Sequence, residues 1–230
     1  MTVPRPAVII FIGPPGAGKG TQATLFAESR DGYRHFDTGR AIERAIYDSK
    51  RKDDPEVQLE RERFEKGLLT GSHFKMQIIT DGIQKIAHEG FGIILSGSPR
   101  TKDEAEFIIP FLSDLYGDGS LVIVHIDVPP EISIMRNSRR RVCKKCGQPL
   151  ISNAENDAIG FCPACGGELV RRVLDKEDII AKRLIEYMHH TKEIIPYAVA
   201  TGVNVLDVLG DGTPEEIHEI IKTKMASITV

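Results

Sequence analysis

Short runs dominated by apolar residues alternate along this chain with longer segments of mixed polarity. Residues 7–12, 91–95, 121–128 and 203–209 are the apolar runs. Continuous rather than alternating hydrophobicity predicts strands buried on both faces, as in a parallel sheet. Tyr33-Arg34-His35-Phe36 adds a shorter strand. Between the strands the apolar positions recur at helical spacing. Residues 40–50 place Ile42, Ala45 and Ile46 on one face, and residues 74–87 carry the stripe Met76, Ile79, Ile83 and Ile86. Residues 176–190 carry Ile180, Leu184 and Met188. Asp53-Asp54-Pro55 breaks the first helix, and residues 56–66 predict a solvated helix ended by Gly67. Thr101-Lys102-Asp103-Glu104 and Thr213-Pro214-Glu215-Glu216 have capping-box spacing and open two further helices. A helix from about residue 131 carries Arg136 and Arg140 four apart, hence on one face. Residues 142–172 show few helix or strand signals. Strand and helix alternation predicts an α/β fold, a five-stranded parallel sheet with helices on both faces. Residues 38–87 form a helical insert between strands.

The first strand runs into Gly13-Pro14-Pro15-Gly16-Ala17-Gly18-Lys19-Gly20-Thr21, and a helix follows. Strand, glycine-rich loop, lysine and threonine form a phosphate cradle, or P-loop. Glycines let backbone N–H groups turn inward, and the helix N-terminus adds positive charge at the same place. Lys19 reaches the outer phosphates and Thr21 can hold Mg²⁺. The loop implies a bound nucleoside triphosphate and does not say what becomes of it. In such sheets ligands bind at the carboxyl ends of the strands, where Ser96-Gly97-Ser98-Pro99-Arg100 also lies.

Composition narrows the field. Net charge is −3, so no global basic field recruits nucleic acid or an anionic membrane. No apolar run is long enough to span a bilayer, and the N-terminus lacks the layout of a signal peptide, so a cytoplasmic protein is expected. All four cysteines, Cys143, Cys146, Cys162 and Cys165, fall in two Cys-x-x-Cys knuckles separated by 15 residues. Four thiolates at this spacing suit tetrahedral, structural Zn²⁺ in a segment too short to build its own core. A redox pair and four unligated thiols are the alternatives. A nucleic-acid-binding ribbon is disfavoured by the net acidity and by the arginines on both sides, which suggest a lid.

Phosphoryl transfer needs positioning, charge neutralisation and exclusion of water, so arginines on mobile elements are the residues to seek. Arg100, Arg136, Arg140, Arg172 and Arg183 flank the glycine loop and the cysteine segment. Together with Asp37-Thr38-Gly39, Gly97-Ser98-Pro99-Arg100-Thr101, Arg139-Arg140-Arg141-Val142 and Lys182-Arg183-Leu184-Ile185-Glu186-Tyr187, these motifs resemble the adenylate kinase family in its zinc-lid form. The resemblance covers essentially the whole chain. It implies reversible phosphoryl transfer from MgATP to AMP by a monomer acting on small nucleotides, with neither nucleic acid nor membrane as partner. It implies a core of residues 1–37, 88–135 and 173–230, a nucleoside-monophosphate-binding (NMP) domain of residues 38–87, and a zinc lid of residues 136–172. It assigns Lys19, Arg100, Arg140, Arg172 and Arg183 to catalysis. ATP would be held by Gly13, Gly16, Ala17, Gly18, Lys19, Gly20, Thr21, Arg136 and Arg140, with Arg136 packed on the adenine. The monophosphate would be held by Thr38, Gly39, Arg40, Gly97, Arg100, Glu104, Arg172 and Arg183.

Departures from the family pattern gather on the acceptor side. Ser96 stands where the family's loop has the aspartate that orders Mg²⁺-bound water, and Ser98 stands for a phenylalanine. Arg40 and Glu43 replace an aspartate and an arginine. A carboxylate at Glu43 would repel a phosphate unless it turns away. Glu104 falls at the base-reading glutamine, and a carboxylate accepts without donating. It could take two N–H groups from guanine or one from adenine or cytosine, or serve only as a capping residue. Leu174 replaces an acidic lid residue while Asp175 remains. A different monophosphate acceptor, or a nucleotide sensor that transfers poorly, stands beside AMP kinase activity.

Overall fold

The computed structural model describes residues 7–228 apart from 67, 69, 151 and 153. The N-terminal stretch without signal-peptide character and the helix-ending Gly67 lie outside the described residues. In chain order, β1 (Val8–Ile12) leads to α1 (Lys19–Ser29), β2 (Tyr33–Asp37) and α2 (Thr38–Ile46). A 3₁₀ turn Ser49–Arg51 precedes α3 (Pro55–Glu65) and α4 (Ser72–His88), and then come β3 (Gly92–Ser96), α5 (Lys102–Tyr116), β4 (Leu121–Asp127) and α6 (Pro130–Arg139). The cysteine segment holds β5 (Arg141–Cys143), β6 (Pro149–Leu150), α7 (Ala154–Ala158) and β7 (Leu169–Val170). A second 3₁₀ turn, Val173–Asp175, precedes α8 (Glu177–Glu186), a π-helical turn Tyr187–Thr191, α9 (Ile194–Ala200), β8 (Asn204–Leu209) and α10 (Pro214–Ala226).

Five parallel strands in the order β2-β3-β1-β4-β8 form the central sheet. The chain moves outward from β1 to β2, returns to β3, then crosses to β4 on the other side. The glycine loop therefore leaves the central strand where the strand order reverses, the usual place for a ligand crevice. Every residue of β1 is buried, and so is every residue of β3, which explains their unbroken apolar runs. On one face Val8, Ile10, Ile93, Leu95 and Ile123 pack with Ile79 and Ile83 of α4 and Ile108 and Leu112 of α5. On the other, Ile9, Phe11, Ile94 and Val124 pack with Phe26 of α1 and Ile217 and Ile221 of α10. A separate small core of Ile42, Ile46, Val57 and Phe74 joins α2, α3 and α4.

Two expectations from spacing change. Met188 is exposed rather than buried, because the π turn adds a residue to the repeat and rotates the stripe. Tyr187 and Thr191 turn inward in its place. Arg136 and Arg140 do not share a helix face, because Arg140 lies past the end of α6 with extended backbone. The cysteine segment is more ordered than its composition suggests, since β5 is the centre of an antiparallel sheet with β6 and β7. The capping box at Thr213 is complete. At Thr101 only half of it forms, because Thr101 Oγ1 accepts from the Glu104 N–H while the Glu104 carboxylate goes elsewhere.

Gly82 lets α4 approach β2 closely, since a Cβ there would stand 2.1 Å from Phe36 Cε2. Gly82→Ala must displace the Phe36 ring and is expected to destabilise the fold by about 1–3 kcal/mol. Thermal unfolding measures it, and a melting temperature at or above wild type would contradict this close packing.

Candidate active site

The glycine loop is held from both sides. A Cβ at Gly13 would stand 2.1 Å from the Ile126 carbonyl oxygen, and one at Gly16 would stand 2.5 Å from Asn137 Nδ2. Gly16 and Gly18 adopt left-handed φ of 78° and 89°, which a side chain would strain. Ser133 Oγ on α6 donates to the Pro15 carbonyl at 2.5 Å. Ala17 is fully buried, Gly20 and Thr21 lie in the first turn of α1, and Lys19 curls over the loop. Lys19 Nζ donates to the carbonyls of Gly13 at 2.8 Å and Pro14 at 2.7 Å.

Five cations gather in front of this loop. Lys19, Arg100 and Arg183 line one cavity together with Gly13, Gly97 and Tyr187. Arg140 grips Asp175 through two hydrogen bonds, one of them Nε to Oδ2 at 2.9 Å, and Arg183 faces the same carboxylate at 3.9 Å. Arg172 reaches Glu43 at 3.4 Å, so Glu43 is turned toward an arginine. Burial holds the Lys19 ammonium well below its usual range, and the nearby Arg100, Arg183 and Arg140 push it further. Burial, then Arg100, Arg140 and Arg172, bring Arg183 down to about 9. Arg172 is lowered by burial and by Arg140. The carboxylates acting on this cluster are Asp37, Glu43 and Asp175. Among the described residues positive charge is in excess around this cavity.

Two buried hydroxyls, Thr38 Oγ1 and Ser98 Oγ, lack hydrogen-bond partners, at a cost of about 1–3 kcal/mol each. A Cβ at Gly97 would stand 3.4 Å from the Gly39 backbone nitrogen and 3.6 Å from both Arg100 Nη2 and Thr38 Cβ, so these groups lie close together. Ser96 Oγ is bonded to His35 Nε2 at 2.8 Å. Arg40 lies 3.6 Å from Asp37, alongside Gly147 of the first knuckle. Arg136 donates to the carbonyls of Gly210 at 2.5 Å and Gly212 at 3.1 Å, between α6 and the start of α10. Both Glu104 oxygens are engaged, one by Lys75 and one by the Arg100 N–H.

Residue spacing alone passed over three of these groups. Asp37 is the N-cap of α2, accepting from Arg40 N at 3.1 Å, and its charge also acts on Lys19. Tyr187 enters the cavity through the π turn, which no periodicity signals. Lys75 did leave a trace, because it occupies the buried stripe four residues before Ile79.

The four cysteine Sγ atoms lie within 4.8 Å of one another, with Cys143–Cys165 at 3.4 Å and Cys146–Cys162 at 3.8 Å. A tetrahedron with Zn–S bonds of 2.3 Å has edges of about 3.8 Å, so the donor set fits Zn²⁺ with no open position. The Cys146 N–H, the first of several donors to Cys143, brings that thiol down to about 6.

A glycine-rich loop after the central strand of a parallel sheet, with Lys19 and four arginines gathered before it, is the arrangement of a P-loop phosphotransferase. The adenylate kinase family model matches residues 11–203, and the chain belongs to the adenylate kinase family. It is 33% identical to the adenylate kinase of Caldicellulosiruptor bescii over 216 residues, covering 93% of this chain and 97% of that protein. It is 32% identical to the adenylate kinase of Clostridioides difficile over 222 residues (95% and 98% covered) and 34% identical to that of Methanothrix thermoacetophila over 216 residues (93% and 95%). The protein is thus a nucleotide-binding phosphotransferase. No helix among the described residues is long and apolar enough to cross a membrane.

Two outcomes test this site. The folded cations hold protons less tightly than the unfolded chain, so stability rises with pH between their lowered values and their ordinary ones. A bound polyphosphate reverses the shift, so ATP binding is expected to take up protons at alkaline pH, at the lowered Lys19 ammonium first. Calorimetry in buffers of different ionisation enthalpy reads the sign, and proton release would contradict the cation cluster. Metal analysis should find about one zinc per chain, and its chelation should lower the melting temperature. An unchanged melting curve after full metal removal would remove zinc from the fold.

Proposed function

We propose that this enzyme reversibly transfers the terminal phosphoryl group of MgATP to a nucleoside monophosphate, with AMP as the acceptor. The observation that supports this reading is one cavity lined by the glycine loop and Lys19 together with Gly97, Arg100 and Arg183. Lys19, Arg140 and Arg183 would neutralise the transferring group, and Arg172 would join them when a phosphate displaces Glu43. No protein nucleophile is needed, because transfer between the nucleotides is in line and the protein supplies charge and alignment. Mg²⁺ comes with ATP, and the hard oxygen donors at that end are the Thr21 hydroxyl and the Asp37 carboxylate. Arg136 would pack against the ATP base from its anchor on Gly210 and Gly212. Gly39, Arg40 and Gly97 would border the acceptor phosphate, with Glu104 behind Arg100.

Residues 38–87 would move as the NMP domain and residues 136–172 as the lid, against a core of 1–37, 88–135 and 173–230. Closure would exclude water and so prevent hydrolysis of ATP. The enzyme would act as a cytoplasmic monomer on small nucleotides. A second reading keeps the chemistry and changes the acceptor to GMP, CMP, UMP or a deoxynucleotide. It is favoured by the serines at 96 and 98.

ADP formation from MgATP with each monophosphate in turn decides between these readings. The highest kcat/KM is expected with AMP. A higher value with another monophosphate would transfer the assignment to that acceptor, and tight ATP binding without any turnover would make the protein a sensor. Lys19→Ala is expected to lower kcat/KM by about 10²–10³-fold, the usual loss of a transition-state charge donor. Activity retained in that variant would place the chemistry elsewhere.

A further inference from the structure

The transfer chemistry leaves one buried ion pair without a task. Lys75 in the first turn of α4 and Glu104 in the first turn of α5 are each 4% exposed, and they link the helical insert to the central sheet. Lys75 Nζ donates to Glu104 Oε1. Glu104 Oε2 accepts from the backbone N–H of Arg100 at 2.9 Å. In a complete capping box that carboxylate would reach the N–H of Thr101, and here it reaches one residue further back.

A buried ion pair adds little stability over apolar side chains of the same size, because desolvation offsets the attraction. What this pair supplies is position. Arg100 is fixed at three points by three different elements. Its N–H is held by Glu104 on α5, its carbonyl by Thr191 Oγ1 of the π turn at 2.8 Å, and its own Nε donates to the Gly97 carbonyl at 2.7 Å. Fixing the backbone of residue 100 fixes the origin of the guanidinium that faces the acceptor site. Lys75 lets a carboxylate do this inside the protein by neutralising it. A carboxylate with one oxygen on an ammonium and the other on a backbone N–H is poorly placed to read a base.

We propose that Glu104, neutralised by Lys75, is a positioning residue for Arg100 that sets acceptor affinity through the backbone and does not discriminate between acceptor bases. This rests on the phosphotransferase reading above, with Arg100 on the acceptor phosphate.

Two double variants test it, each removing both charges so that neither partner is left buried alone. Lys75→Met with Glu104→Leu removes the acceptor for the Arg100 N–H. Lys75→Met with Glu104→Gln keeps a carbonyl oxygen for it. Steady-state kinetics with AMP, GMP, CMP and UMP are read beside calorimetric binding of the same monophosphates. The leucine variant is expected to fold, and to raise KM and Kd for every monophosphate by a common factor of about ten, the loss of one hydrogen bond. Its KM for ATP should stay within about twofold of wild type. The glutamine variant should recover most of the loss, to within about threefold. A change in preference between bases in the glutamine variant would make Glu104 a base reader and overturn the proposal. A leucine variant that binds every acceptor as wild type does would make the pair merely structural and overturn it equally. Wild-type turnover tests the phosphotransferase reading separately, and binding gives the same ratios if turnover is absent. A wild-type protein that neither binds nor phosphorylates any monophosphate would overturn both.

Discussion

The arrangement depends on bringing Lys19, Arg100, Arg140, Arg172 and Arg183 close together against their mutual repulsion. Each belongs to a different part of the chain, so no local preference gathers them. The sheet does, by ending β1 and β3 side by side in the register Val8 to Ile93 through Phe11 to Ser96. Asp175 then takes two of the arginines and Glu43 a third. These carboxylates leave the cluster short of negative charge, and the shortfall is the affinity for phosphate. Burial, and then this repulsion, depresses the proton affinities of Lys19 and Arg183.

Fold and phosphate cradle were legible in the sequence because both rest on local patterns. Buried parallel strands must be apolar throughout, and a backbone that wraps phosphate must be rich in glycine. Zinc spacing is likewise a local signal. What escaped reading depends on phase and on pairs distant in sequence. The π turn shifts the stripe of α8 by part of a turn, so Tyr187 and Thr191 replaced Met188 on the inner side. Glu43 looked like a charge facing the acceptor phosphate, and its partner is an arginine 129 residues away. Glu104 looked like a base reader or a cap, and its carboxylate is divided between Lys75 and Arg100.

Glu43, Ser96 and Glu104, which depart from the family pattern, therefore each have a partner in this structure. A carboxylate at Glu43 supplies a counter-ion to Arg172, one that a phosphate can replace. Ser96 gives up a charge and gains a hydrogen bond to His35, whose own proton affinity is lowered by burial. Asp37, beside Ser96 in the register of β2 and β3, brings a carboxylate into the same corner. Ser96 and Ser98 are both buried, and the Ser98 hydroxyl, like that of Thr38, lacks a partner.

The cysteine cluster belongs to the same electrostatic problem, although it lies outside the cavity. β5 pairs antiparallel with β7, aligning Val142 with Val170. That pairing brings the chain on either side of the segment, with Arg140 before it and Arg172 after it, to one edge. Arginines forced together drive such a short sheet apart, and two- or three-residue strands have little of their own to resist with. Four thiolates on one Zn²⁺ would close the far end of the same segment, since Cys143 ends β5 and Cys162 and Cys165 precede β7. A Zn²⁺ with no open coordination position would act there through geometry alone, by holding the two ends of this segment together.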